Sequence, residues 1–232
     1  IGSWNEVNLI YKAAKLLFDK CSVTEGVEIT LTKRVPIAAG MAGGSTDAAA
    51  ALVGINRLFE LGLSMDELKE IGVKIGADVP YCLMRGTALA EGIGEKLTSL
   101  PPMVKCPVLI AKPAISVSTK FVYENLKLND ETVHPDIDQL VKDIENKDLH
   151  AIAGHMGNVL ETVTIPEYPI IAQIKEQMMQ SGAINSMMSG SGPTVFGLFE
   201  DEETAKKAYD DMIKSGLAKQ IYLTSIYNNR RD

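Results

Sequence analysis

Residues 36–47 read Pro-Ile-Ala-Ala-Gly-Met-Ala-Gly-Gly-Ser-Thr-Asp, and this run limits the fold more than any other stretch of the chain. It places Gly40, Gly43 and Gly44 in a short loop. Residues 27–32 before it alternate apolar and polar as a strand does, and small helix formers follow from Asp47 to Leu52. The order strand, glycine-rich loop, helix N-terminus suits a phosphate site. Glycine lets backbone N–H groups turn inward and lets the chain come close to a ligand. The first helical turn adds N–H donors without partners and the positive end of the helix dipole. The spacing matches neither the Walker loop nor the dinucleotide fingerprint. A plainer reading makes the run a small-residue turn capped by Ser45, with Asp47 complementing the dipole. The run alone does not separate the two.

The 232 residues suffice for one large domain or two small ones. A net charge of −7 gives no reason to expect nucleic acid or an anionic membrane as partner. Cys21, Cys82 and Cys106 are odd in number and lack C-x-x-C spacing, so they read as reduced thiols of a cytoplasmic protein. His134, His150 and His155 offer no i, i+4 ligand pair. No apolar run reaches membrane-spanning length.

Helical spacing predicts helices over residues 8–18, 47–59, 119–125, 137–144, 149–161, 170–181 and 202–215. Ser64-Met-Asp-Glu67 is a capping box opening a further helix that ends near Gly76. Strands are predicted at 27–32, 87–90, 104–111, 184–188, 194–199 and 221–226. Pro101-Pro102 marks a boundary, dividing the chain into domains at 1–100 and 101–232. The class is α+β, a two-domain sandwich.

Two further segments bear on chemistry. In Gly76-Ala-Asp-Val-Pro80, Asp78 stands between a helix end and a proline. It is either an ordinary N-cap or a carboxylate that accepts the proton of a substrate hydroxyl during phosphoryl transfer. Met188-Ser-Gly-Ser-Gly-Pro-Thr194 lies between two predicted strands. It is either a glycine-rich hairpin or a second donor-rich loop that closes over a phosphoryl group.

Together the three segments resemble the signatures of the GHMP kinases (galactokinase, homoserine, mevalonate and phosphomevalonate kinases). The resemblance extends through residues 86–97 and 112–119 and covers nearly the whole chain. It implies ATP and Mg²⁺ as cofactors and a small alcohol as substrate. The Gly-Ala-Asp-Val-Pro version points to members that phosphorylate a cytidine-diphosphate-linked polyol. The alternatives are another small-alcohol kinase, such as one for homoserine or mevalonate, or a nucleotide-binding module without activity.

By this resemblance Pro36, Ile37, Ala38, Ala39, Gly40, Met41, Ala42, Gly43, Gly44, Ser45 and Thr46 cradle the ATP phosphates, with Ser45 near the metal. Asn8, Leu9 and Lys33 match positions lining the adenine and phosphate pocket, and Asp78 matches the catalytic base. Thr119 and Tyr123, with Gly190, Ser191 and Gly192, fall on the substrate side. Met41-Ala42 departs from the family's common Leu-Gly, and Thr46 replaces a second serine. The resemblance also leads one to expect a preceding Ala-Lys-Ile-Asn-Leu strand and a Gly-Tyr-His segment, which are not in these residues. It leaves monomer and homodimer open.

Overall fold

Asn8 begins the order. Its side chain accepts the Ile10 amide at 2.9 Å and caps α1, Leu9–Cys21, whose Ile10, Ala13 and Leu17 are buried at the helical interval. A computed structural model of the protein describes residues 8–129 and 132–228. Those residues form two compact units. One takes the chain up to Ile37 with Ala42–Leu100, and the other takes Ala38–Met41 with Pro101–Asn228.

The first unit is mainly helical. α2, Gly43–Leu58, and α3, Met65–Ile75, bury Ala48, Leu52, Ile55, Leu68 and Ile71 against Ala13 and Leu17 of α1. The small residues of α2 let the neighbouring helices come close. The predicted capping box is formed: Ser64 accepts the Glu67 amide and Glu67 accepts the Ser64 amide. The short α4, Val79–Met84, adds Val79 and Leu83 to the core. A hairpin follows, β1 at Ala88–Glu91 and β2 at Lys96–Ser99.

The second unit is built on an antiparallel sheet of order β4-β5-β3-β6. β3 is Pro107–Lys112, β4 Asn185–Met188, β5 Val195–Leu198 and β6 Gln220–Ser225. Side chains alternate across it. Leu109, Ala111 and Val195 join Ile171, Ile174 and Met178 of α9, Ile170–Gln180, and Ala205, Ala208 and Met212 of α10, Glu202–Ser215. Val108 and Leu198 face the other way and pack with Ala153 of α7, Leu149–His155. α5 is Thr119–Asn125, α6 Ile137–Asn146 and α8 Glu161–Glu167.

Three expectations are corrected. Residues 27–32 form no strand. Val27 and Ile29 keep their half-buried alternation against the first core, but no ladder pairs the segment among the described residues, and a strand needs a partner. The helix predicted at 149–161 is broken after His155, because Gly157 and Asn158 leave the helical path before α8 begins. α2 begins at Gly43 with Ala42 as N-cap, so Ser45 lies inside the first turn and caps nothing.

Candidate active site

In the first unit the chemistry gathers at the start of α2. The first backbone bond there runs from the Thr46 amide to the Ala42 carbonyl at 2.9 Å. The amides of Gly43, Gly44 and Ser45 therefore precede the ladder and find no acceptor among the described residues. The Lys33 ammonium pairs with Asp47 in the same turn. It lies 3.1 Å from where a Cβ on Gly43 would stand, so the glycine keeps room beside the charge. Free amides, a dipole end and an ammonium together favour an anion.

The Ser45 hydroxyl lies 3.9 Å from where a Cβ on Gly76 would stand, next to the segment that carries Asp78. Asp78 is the N-cap residue of α4, yet its side chain makes no capping bond and is exposed. Its carboxylate is thus uncommitted among the described residues, and the cap reading loses its support. Cys82, one turn on, meets the Thr46 hydroxyl at 3.5 Å, while that hydroxyl donates to the Ala42 carbonyl at 3.1 Å. Burial pushes the Cys82 thiol above its usual range; the Thr46 bond opposes this and the Asp78 charge adds to it.

The second unit holds the loop of residues 189–193 and the tip of the first glycine-rich run, Ala38–Met41. The Ser189 hydroxyl donates to the Gly40 carbonyl at 2.7 Å. Gly40 has φ +68°, and a Cβ there would stand 2.2 Å from the Ser189 carbonyl oxygen, an impossible approach. The Ser191 hydroxyl shares a hydrogen with Thr119 at 2.8 Å, and Tyr123 follows one turn along α5, 61% exposed.

The remaining expected residues take varied positions. Asn8 is spent on capping α1, and Leu9 turns a methyl toward Gly44. Pro36 and Met41 are half-buried, Ile37 and Ala38 exposed, and Ala39 buried. Sequence reasoning missed Asn158, Glu161 and Thr164, whose side chains bond the backbone of residues 188–191. The signal was the Gly157-Asn158 pair inside an otherwise helical pattern, a break that needs a reason.

No group of three His, Cys, Asp or Glu side chains able to hold a metal ion occurs among the described residues. The donor set fits a Mg²⁺ ion carried mainly by nucleotide phosphates, with one hydroxyl such as Ser45 beside it. It does not fit an ion caged by protein alone. No helix among the described residues is long and apolar enough to cross a membrane.

A family model described as GHMP kinases N terminal domain matches residues 8–86, and one described as GHMP kinases C terminal matches residues 140–218. The chain is 58% identical over 223 residues to the 4-diphosphocytidyl-2-C-methyl-D-erythritol kinase of Lachnospira eligens, covering 96% of this chain and 77% of that protein. It is 53% identical over 226 residues to the enzyme of the same name from Lachnoclostridium phytofermentans, covering 97% and 78%. Among solved structures it is similar to a 4-(cytidine 5'-diphospho)-2C-methyl-D-erythritol kinase, with TM-score 0.81 and 28% identity over 97% of this chain and 80% of that one. A homoserine kinase from Cytophaga hutchinsonii shares the fold, with TM-score 0.83 and 22% identity over 97% and 77%.

Proposed function

We propose that this chain, which belongs to the GHMP kinases, transfers the γ-phosphoryl group of ATP to the 2-hydroxyl of 4-diphosphocytidyl-2-C-methyl-D-erythritol, in the cytoplasmic synthesis of isoprenoid precursors by the non-mevalonate route. The observation that carries the chemistry is Asp78. It is an exposed carboxylate on an N-cap position that does no capping, in the same unit as the free amides of α2. Aspartate held there without a structural task is available to the substrate.

In this reading the amides of Gly43, Gly44 and Ser45 and the Lys33 ammonium receive the ATP phosphates. The Ser45 hydroxyl would help hold Mg²⁺, which would supply charge neutralisation to the bound phosphates. Asp78 takes the proton of the acceptor hydroxyl as that oxygen bonds to the γ-phosphorus. The bond from the γ-phosphorus to the β-bridging oxygen breaks, and ADP leaves. Thr119 and Tyr123, with Gly190, Ser191 and Gly192, are the substrate-side residues of the second unit. The first and second units are taken as the N- and C-terminal kinase domains.

The test is ADP release measured with three acceptors: 4-diphosphocytidyl-2-C-methyl-D-erythritol, homoserine and mevalonate. Turnover with the first alone is expected. Turnover with either of the others in its place overturns the substrate, and ATP binding without any turnover overturns the kinase. Asp78→Asn keeps the shape and loses the base, so kcat falls about 10²–10⁴-fold while ATP affinity holds within roughly threefold. A variant with ordinary turnover would return Asp78 to a structural role.

A further inference from the structure

The backbone of the second glycine-rich loop is held from one side by side chains that the proposed reaction does not use. The Asn158 side-chain amide donates to the Met188 carbonyl at 2.9 Å and to the Gly190 carbonyl at 2.8 Å. Its own oxygen accepts the Leu160 amide at 3.0 Å, so all three of its bonds go to backbone. Glu161 accepts the Met188 amide at 2.8 Å and pairs with Lys175. Thr164 reaches the Ser191 carbonyl at 3.4 Å. Within the loop the Gly192 amide bonds the Ser189 carbonyl, and the Ser189 amide bonds the Thr194 carbonyl.

The carbonyls of Met188, Gly190 and Ser191 are drawn toward residues 158–164. The amides of Gly190 and Ser191 donate to nothing among the described residues. Gly190, at φ +56°, and Gly192, at φ +85°, supply the left-handed turns that let successive amides gather on one side. A loop with its acceptors tied back and its donors free is an anion receptor, and Ser189 fixes it to Gly40 of the first run.

We infer that Asn158 is a positioning residue for the second glycine-rich loop: it withdraws the Met188 and Gly190 carbonyls so that the Gly190 and Ser191 amides stay free to receive a phosphoryl group. The inference rests on the kinase reading above. Asn158 touches no reacting atom and acts through the loop. Asparagine suits the task because one side chain supplies two donors for the carbonyls and an acceptor for the break before α8. Aspartate has the same shape but sets a negative oxygen against two carbonyl oxygens.

The experiment compares Asn158→Ser and Asn158→Asp with the parent protein. Serine keeps an acceptor for the Leu160 amide and replaces the two amide N–H donors with one hydroxyl on a shorter side chain. Three quantities are read: kcat per binding-competent site, the affinity for a non-hydrolysable ATP analogue, and the affinity for ADP. Calorimetric stoichiometry counts the competent sites. A kcat loss on the order of 10–100-fold is expected, the size that a misplacement of about 1 Å produces. The analogue, which carries a γ-phosphate, binds correspondingly weaker, and ADP binds as before. A purely structural role would lower the number of competent sites and leave kcat per site and the ratio of analogue to ADP affinity unchanged; that result in both variants overturns the inference. The two binding readouts need no acceptor alcohol. Failure of the parent to turn over any acceptor would therefore strike the kinase reading, and an unchanged affinity ratio would strike this one.

Discussion

Gly40 and Gly44 stand four residues apart in one run and do unlike things. Gly40 has a left-handed backbone, and a side chain there would strike the Ser189 carbonyl. Gly44 has no such backbone, and a Cβ on it would meet only the end of the Leu9 side chain, at 3.2 Å. Gly40→Ala is therefore expected to destabilise by about 2 kcal/mol or more, from the φ penalty and the backbone overlap, and to weaken ATP binding. Gly44→Ala should cost less than about 1 kcal/mol, since a Leu9 rotamer can give way. Thermal melts of the two variants decide the order, and equal losses would contradict it. The sequence made these glycines look equivalent, because composition does not say which neighbour each one admits. Asp78 was legible as a choice between cap and base, and the absent capping bond removes the support for the cap. Asn158 was not legible as a clamp, since its partners lie about thirty residues further along the chain.

The elements that could be read in advance are those whose instructions are local. The capping box at Ser64 and the apolar intervals of α1, α5, α9 and α10 all act within a few residues. Residues 27–32 were misread because alternation describes one face of a strand and says nothing of its partner. The start of α2 was misread by four residues, Asp47 for Gly43, because an alanine holds the N-cap in a left-handed conformation, φ +47°. That backbone costs an L-residue roughly 1–2 kcal/mol. Ala42→Gly should relieve it, less about 0.5 kcal/mol of added freedom in the unfolded chain. A net gain of about 0.5–1.5 kcal/mol is expected from urea titration. A loss of stability would show that the alanine methyl packs better than its backbone suggests.

At the scale of the molecule, the chain passes between units at the Pro101-Pro102 pair, and it makes one excursion that nothing local announces. The chain leaves the first unit after Ile37, spends Ala38–Met41 in the second, and returns at Ala42. The bond between Ser189 and Gly40 closes a span of 149 residues. Bringing such distant points together carries a chain-entropy cost of about 4 kcal/mol before any contact offsets it. Helices α1–α4 and the hairpin need no such reach. The junction of the two glycine-rich loops thus belongs to the downhill side of the folding barrier. Ser189→Ala should leave the refolding rate unchanged and speed unfolding by about the whole loss in stability. Slower refolding in stopped-flow measurements would place the contact in the nucleus instead. On the ribosome the order is stricter, because Gly40 is made long before its partner exists. A growing chain can complete the helices around α2 early, yet it gains the grip on Gly40 only after 149 further residues have been made.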